Sequence, residues 1–254
     1  MIYITGDTHA EFKHRFNMDN FPEQKRMTKD DYVIICGDFG GVWDMEESKG
    51  EKYWLDWFDS RSYTLLFIDG NHENFTRLYE YPEKQWHGGR VHELRLSVLH
   101  LMRGQVYVID GKSIFTFGGA KSHDISGGIL DRSDINFNNK KKRLDRERAS
   151  YRIKNESWWE QELANEEEMQ EGLRNLAAHD SGVDVIITHC CATSTQDSFG
   201  AGLYSPDRVT EYFEKIKNSV KYKKWFFGHY HDDRAVSEKE TMVYEKLILL
   251  DREW

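Results

Sequence analysis

The sequence predicts a mixed α/β domain built in layers, and two observations carry that expectation. Five short apolar runs, rich in β-branched and aromatic residues, have the length and composition of buried strands. Between and after them lie stretches with helical spacing and further strand-like segments that read as hairpins, the mixture a layered α/β domain requires.

In chain order, MIYIT (1–5) ends in Gly6-Asp7 and YVIIC (32–36) ends in Gly37-Asp38. SKGEKYWLDWFDSR (48–61) then sets Tyr53, Trp54, Trp57 and Phe58 at helical spacing. TLLFID (64–69) ends in Gly70-Asn71-His72, and VLHLMRGQVYVIDG (98–111) with SIFTFGGA (113–120) forms a second strand group. Residues 121–181 differ from their surroundings: NNKKKRLDRERASYR (138–152) is strongly basic and WWEQELANEEEMQEGLRNL (158–176) is an acidic helical pattern. That stretch is either a solvated excursion or a cap that contributes substrate contacts. VDVIIT (183–188) runs into His189, and SPDRVTEYFEKIKNSV (205–220) opens a helix with Ser205 as N-cap and Pro206 at the first position. KWFF (224–227) runs into Gly228-His229, and TMVYEKLILL (241–250) is the last strand. No internal repeat or low-complexity linker divides the 254 residues, so the prediction is one domain, 1–254, with an insertion at about 121–181.

Composition removes several classes. Apolar residues at 39% and aromatics at 14%, eight tryptophans among them, argue against a disordered chain. No apolar window of about 18 residues is present, so no membrane span is expected. The formal charge of −9 gives no general attraction to nucleic acid or an anionic membrane, the basic 140–148 segment being a local exception. MIYITGD enters a strand at once, without the pattern of a signal peptide. Cys36, Cys190 and Cys191 make no disulfide framework, and a reducing cytoplasm is the expected location.

The chemistry gathers where the runs end, the place where open α/β sheets form their sites. The residues there are Asp7 and His9, Asp38, Asn71 and His72, His189, and His229 with His231. Carboxylate, imidazole and amide oxygen together suit borderline divalent ions such as Mn²⁺, Fe²⁺ or Zn²⁺. No thiolate accompanies them, which argues against a structural zinc knot. Asp7-x-His9 and His229-x-His231 share a spacing that puts both side chains on one side of an extended segment. Two ions about 3.5–4 Å apart, bridged by a carboxylate such as Asp38, can clamp the attacking and leaving oxygens of an in-line displacement.

The blocks GDTH (6–9), GDFGG (37–41), GNHE (70–73), THCC (188–191) and GHYH (228–231) resemble, in order, the five motif blocks of the calcineurin-like metallophosphoesterases. LMRGQVYVIDG (101–111), FTFGGAKSHD (115–124) and SWWEQEL (157–163) further resemble a bacterial and phage branch of that superfamily. The resemblance implies a four-layer α/β/β/α sandwich, two central mixed β-sheets flanked by helices, with a binuclear site at the strand ends. It implies Asp7, His9, Asp38 and His231 around one ion, and Asp38, Asn71, His189 and His229 around the other. The cofactors implied are two divalent metal ions, Mn²⁺ foremost, with Fe, Zn, Ni, Co or Mg as alternatives. His72 is implied to face substrate and protonate the leaving oxygen, a task its unperturbed pKa near 6.5 suits. The implied reaction is direct attack of a metal-bound hydroxide on phosphorus, without a covalent enzyme intermediate.

The expected activity is hydrolysis of a phosphate monoester: a phosphorylated small molecule, a nucleotide or a phosphoprotein. GNHE resembles the corresponding block of the serine/threonine phosphatases, but GDFGGVW lacks the Asp-Arg pair which that branch carries after its Gly-Asp. A phosphodiesterase acting on cyclic nucleotides, dinucleotides or nucleic-acid ends is the alternative, because the same clamp and acid serve both reactions. A catalytically silent binding scaffold is the third reading, and the intact residue set argues against it. For substrate contacts the candidates are Asn71 and Arg103, then Arg90 and Lys121, since arginine's planar fork matches phosphate oxygens. His123 is a further candidate for the site's edge, and Trp158-Trp159 reads as packing for the inserted helix.

Overall fold

The computed structural model describes residues 1–179 and 182–250. Two sheets carry the long strands. The first runs, edge to edge, Ile248–Leu249, Ile2–Thr5, Tyr32–Ile35, Thr64–Phe67, Val98–Leu101, Gly89–Arg95 and Glu83–Trp86. The second runs Arg234–Ala235, Glu240–Met242, Tyr222–Phe227, Val183–Thr188, Lys112–Phe117 and Gln105–Ile109. Central pairs are parallel and edge pairs antiparallel in both, and in the first sheet Gly89–Arg95 is antiparallel to both of its neighbours.

Alternation along the strands decides what each face meets. Ile2, Ile4, Ile34 and Leu66 of the first sheet pack with Ile114, Val185, Ile187 and Phe226 of the second in one buried cluster. Their neighbours in sequence, Tyr3, Val33, Ile35, Leu65 and Phe67, turn the other way, onto Leu55 and Phe58 of helix Lys49–Asp59. On the second sheet, Phe115, Phe117, Ile186, Trp225 and Phe227 face outward onto helices Glu166–Ala177 and Arg208–Ser219. The result is four layers, helix, sheet, sheet, helix, as the resemblance implied. Central strands covered on both faces need apolar residues at nearly every position, which is why the runs do not alternate with polar ones.

Local differences from the sequence reading have identifiable causes. The helix expected from Ser205 begins at Arg208 instead, because Asp207 is the stronger cap. Its carboxylate accepts the amides of Val209 and Thr210 at 2.8 and 3.1 Å, and a negative charge suits the positive end of the helix. Helix Lys49–Asp59 starts as expected, with Ser48 and Glu51 in reciprocal capping bonds.

The segment 241–250 is two strands, not one. The Asp233 carboxylate gathers the amides of Tyr244, Glu245 and Lys246 into a turn between them. Glu240–Met242 therefore stays in the second sheet and Ile248–Leu249 joins the first. The segment 98–111 likewise crosses from one sheet to the other, breaking between Leu101 and Gln105. The hairpin Glu83–Trp86 with Gly89–Arg95 was not expected; its edge strand is exposed and too polar to stand out as a run.

Within 121–181 lie helix Phe137–Glu147, helix Glu166–Ala177 and a parallel pair, Ile129–Leu130 with Arg152–Ile153. Leu130, Phe137 and Leu144 form a small core there, and the last two positions of the stretch lie outside the described residues. Among the described residues no helix is long and apolar enough to cross a membrane.

Candidate active site

The strand ends of both sheets converge on one place. Asp7, His9, Asp38, Asn71 and His72 arrive from the first sheet, and His189, His229 and His231 from the second. The chain leaves its strands by sharp turns, with His9, Asp38, His229 and His231 all in the left-handed region, at φ of 44, 48, 70 and 51°. Such backbone is uncommon outside glycine and costs roughly 1–3 kcal/mol at each position, a strain that concentrates at functional sites.

Asp7, His9 and His231 offer ligand atoms that all lie within 4.8 Å of one another, and so do Asp7, Asp38 and His189. His231 Nε2 is 3.2 Å from Asp7 Oδ2 and 3.1 Å from His9 Nε2. Asp38 faces both ways: Oδ2 is 3.7 Å from His9 Nε2 and Oδ1 is 3.4 Å from His189 Nε2. Asn71 Oδ1 stands 3.2 Å from that same His189 nitrogen. His229 packs against His189, their ring centroids 4.9 Å apart. His229 and His231 thus lean to opposite sides of the cluster, although their spacing in an extended segment would have aimed them together.

Several supports aim these groups. His189 Nδ1 lies 2.8 Å from the Cys36 carbonyl, which can only accept, so Nδ1 carries a proton and Nε2 is the inward nitrogen, open to an ion once its own proton leaves. The Asn71 amide donates to Ser122 Oγ at 3.2 Å, and Ser122 in turn donates to Glu162 at 2.6 Å, which leaves Oδ1 for the centre. The Arg15 guanidinium donates to the carbonyls of Gly6 and Asp7 at 2.6 and 2.9 Å and fixes the turn that carries Asp7. The His229 amide donates to both Asp7 oxygens at 3.0 Å. None of Arg15, Ser122 and Glu162 was singled out in the sequence, because none belongs to a spaced pattern.

Two glycines of the motif blocks make room for ligands of other blocks. A Cβ at Gly70 would overlap Asp38 Oδ1, and one at Gly228 would overlap Asp7 Oδ1. Gly70→Ala should therefore weaken metal binding by about 10–100-fold, the loss typical of disturbing a ligand's support. Titration of the stripped protein with Mn²⁺ checks it.

The electrostatics call for positive charge. Burial alone would raise the Asp38 carboxyl, but His189, with His72 and His9 adding to it, outweighs burial and holds Asp38 well below the usual carboxylate range. Burial likewise disfavours a charged His189, yet Asp38 and Asp7 push it up to about 10. His229, buried beside His189 and His123, is pressed well below the ordinary histidine range. His231 is raised, chiefly by its bond to Asp7. Inward-facing lone pairs of carboxylate, amide and imidazole, held by second partners, are the donor set that divalent ions take. The residues present fit such ions.

His72 stands outside both ligand groups, its ring 5.2 Å from that of His9 and 6.1 Å from that of Trp43. Burial lowers its pKa, against the opposing pull of Asp38. His123 does reach the site's edge, its ring 4.8 Å from that of His229. Trp159 is buried packing as read, edge-on to Trp43 at 5.8 Å.

Arg103 is a correction. Expected to hold substrate, it is buried at the crossover between the sheets with its guanidinium fully committed. It donates to Asp69 Oδ2 at 2.9 and 2.5 Å, to the Gln161 carbonyl at 2.7 Å and to Glu168 at 3.2 Å. Burial works against an ionised Asp69, but Arg103 and His100 outweigh it and hold the carboxyl well below its usual range. Arg103→Ala would strand that carboxylate and should cost about 3–5 kcal/mol of stability, read from the denaturant midpoint. Arg90 is taken by Glu171 and Glu83, whereas Lys121 stays exposed on the rim of the cleft beside His123. The arginine whose charge reaches His72 is Arg152, paired with Asp124 inside the insertion.

Among solved structures, the chain is similar to the crystal structure of phosphopantetheinyl hydrolase from Mycobacterium tuberculosis, at 14% identity and a TM-score of 0.48, over 100% of this chain and 97% of that one. No curated protein matches it. Residues 1–233 match the family model of the calcineurin-like phosphoesterases. The chain belongs to that family and is a metal-dependent hydrolase of phosphate esters.

Proposed function

We propose that the chain hydrolyses a phosphate monoester at a centre of two divalent ions, with His72 as general acid. The observation that carries this reading is the convergence of Asp7, His9, Asp38, His189 and His231 around two overlapping ligand groups, with His72 beside them and in neither. Asp7, His9, Asp38 and His231 would hold one ion; Asp38, Asn71, His189 and His229 would hold the other. When bound, the ions supply positive charge for the phosphoryl oxygens and acidify water at neutral pH. Mn²⁺ suits the mixed oxygen and nitrogen donors, with Fe, Zn, Ni, Co and Mg as alternatives.

The chain's own groups do the rest. His72, partly buried, is protonated from solvent before the reaction and gives that proton to the departing oxygen as the P–O bond breaks. Asn71 faces both the centre and the substrate. Arg152 takes the part expected of Arg103, exchanging Asp124 for a phosphate oxygen, so that the 121–181 stretch acts as a cap on a single domain. A phosphodiester is the second reading, favoured by clefts on both sides of the centre. One is lined by His9 and His72, the other by His123 and His229, and each can seat one ester arm.

A panel in Mn²⁺ tests the proposal: an aryl phosphate monoester, the matching diester, cyclic nucleotides and a phosphopeptide. Faster turnover of the monoester than of the diester supports the first reading. The reverse order replaces it with the second.

A further inference from the structure

We infer that the cleft beside His72 is a leaving-group subsite for a flat, uncharged aromatic or heteroaromatic ring. The inference rests on the phosphoesterase reading and adds the chemistry of the group released. The cleft encloses about 430 Å³, and His9 and His72 form its inner wall. That volume lies within the range of about 300–1,000 Å³ usual for small-molecule sites. Because His72 delivers its proton to the departing oxygen, the substituent carried by that oxygen extends into this cleft and not into the one beside His123.

The walls are aromatic and held still. Trp43, half-buried, lies between His72 and the buried Trp159. Trp54 also lines the cleft and packs edge-on against Phe12 at 5.4 Å and Trp57 at 5.5 Å, within the cluster that anchors helix Lys49–Asp59. Backbone at Gly40, Gly41 and Gly50 also lines the cleft, which gives a flat group close approach. Two such rings offer stacking or edge contacts to a planar guest.

Charge decides the rest of the class. Asp44 and Glu51 line the cleft, and among the described residues no lysine or arginine does. Glu51 is already neutralised, paired with Arg77 at 2.7 Å and accepting the Asp44 amide at 2.7 Å. The exposed Asp44 carboxylate gives a phosphate or carboxylate on the leaving group no attraction at the mouth, so an uncharged ring is the better fit. The preferred substrate therefore releases a ring-bearing alcohol or phenol without charge of its own.

The test uses benzylphosphonate and cyclohexylmethylphosphonate, which match in bulk and charge but differ in planarity and cannot be hydrolysed. Calorimetric titration of the Mn²⁺-loaded protein should show benzylphosphonate binding about tenfold tighter. Trp43→Leu keeps apolar bulk and should erase that preference. Gly50→Leu is a second, independent variant: a Cβ there meets nothing closer than Ser48 Oγ at 3.8 Å, so the side chain fills the cleft without displacing the helix. It should weaken benzylphosphonate at least as much. Equal affinities in the unmodified protein, or a preference that survives both variants, overturns the inference. If benzylphosphonate shows the preference but benzyl phosphate is not hydrolysed, the subsite stands and the phosphoesterase reading of the site fails instead.

Discussion

His72→Ala should lower kcat by about 10²–10⁴-fold while leaving metal content at the level of the unmodified protein, the range expected for loss of a general acid. In the proposed arrangement its ring stands beside His9 and is not itself a ligand, so its removal takes away no ligand atom. The bond that ties His72 to the centre, at 2.7 Å to Asp38 Oδ1, comes from the backbone amide, and alanine keeps it. The loss should also depend on the ester. A leaving oxygen that is stable as an anion needs no proton, so a nitrophenyl phosphate should suffer much less than an alkyl phosphate. Parallel kinetics and metal analysis of the purified variant decide the matter. Loss of metal would make His72 a ligand, and equal loss on both esters would remove it from proton transfer.

Asp38→Asn should reduce the occupancy of both ions together and abolish detectable turnover. The two Asp38 oxygens face the two sides of the cluster, one toward His9 and the other toward His189. The amide keeps one oxygen for the His72 amide but loses the negative charge and one donor at the centre. Affinity should fall by more than the roughly 100-fold that disturbing a ligand's support costs, because a ligand itself is lost. Metal analysis after exhaustive dialysis gives the answer: two equivalents falling to none supports a bridging carboxylate, and two falling to one sinks it.

Much of this was readable from the residues because the constraint was local. A strand buried on both faces must be apolar throughout, and a ligand at its end must be polar, so each run and the residue after it could be seen at once. The residues that depend on distant partners could not. Arg103 had the right chemistry for phosphate, but only the crossover between sheets brings it against Asp69, Gln161 and Glu168. Arg152 lay inside a basic stretch with nothing to distinguish it, and only the pairing of residues 129–130 with 152–153 carries it toward His72. Asp207 against Ser205 was a competition between two good caps two residues apart, settled by the two amides the carboxylate reaches. The i, i+2 argument for His229 and His231 failed for a related reason. It assumes an extended backbone, and both residues have left the extended region.

The division of the ligand set between the two sheets has a consequence for the order in which the molecule assembles. Groups at residues 7 and 38 meet groups at 189, 229 and 231 only after nearly the whole chain has been closed into a loop, and only once the sheets have docked face to face. Ions therefore find no complete cage on a partly folded chain and enter last. A contact absent from the folding transition state leaves the folding rate unchanged and slows unfolding. Bound metal should then act as a latch on a finished structure, slowing its unfolding without helping it to form, while the apolar cluster between the sheets keeps them docked when the ions are removed.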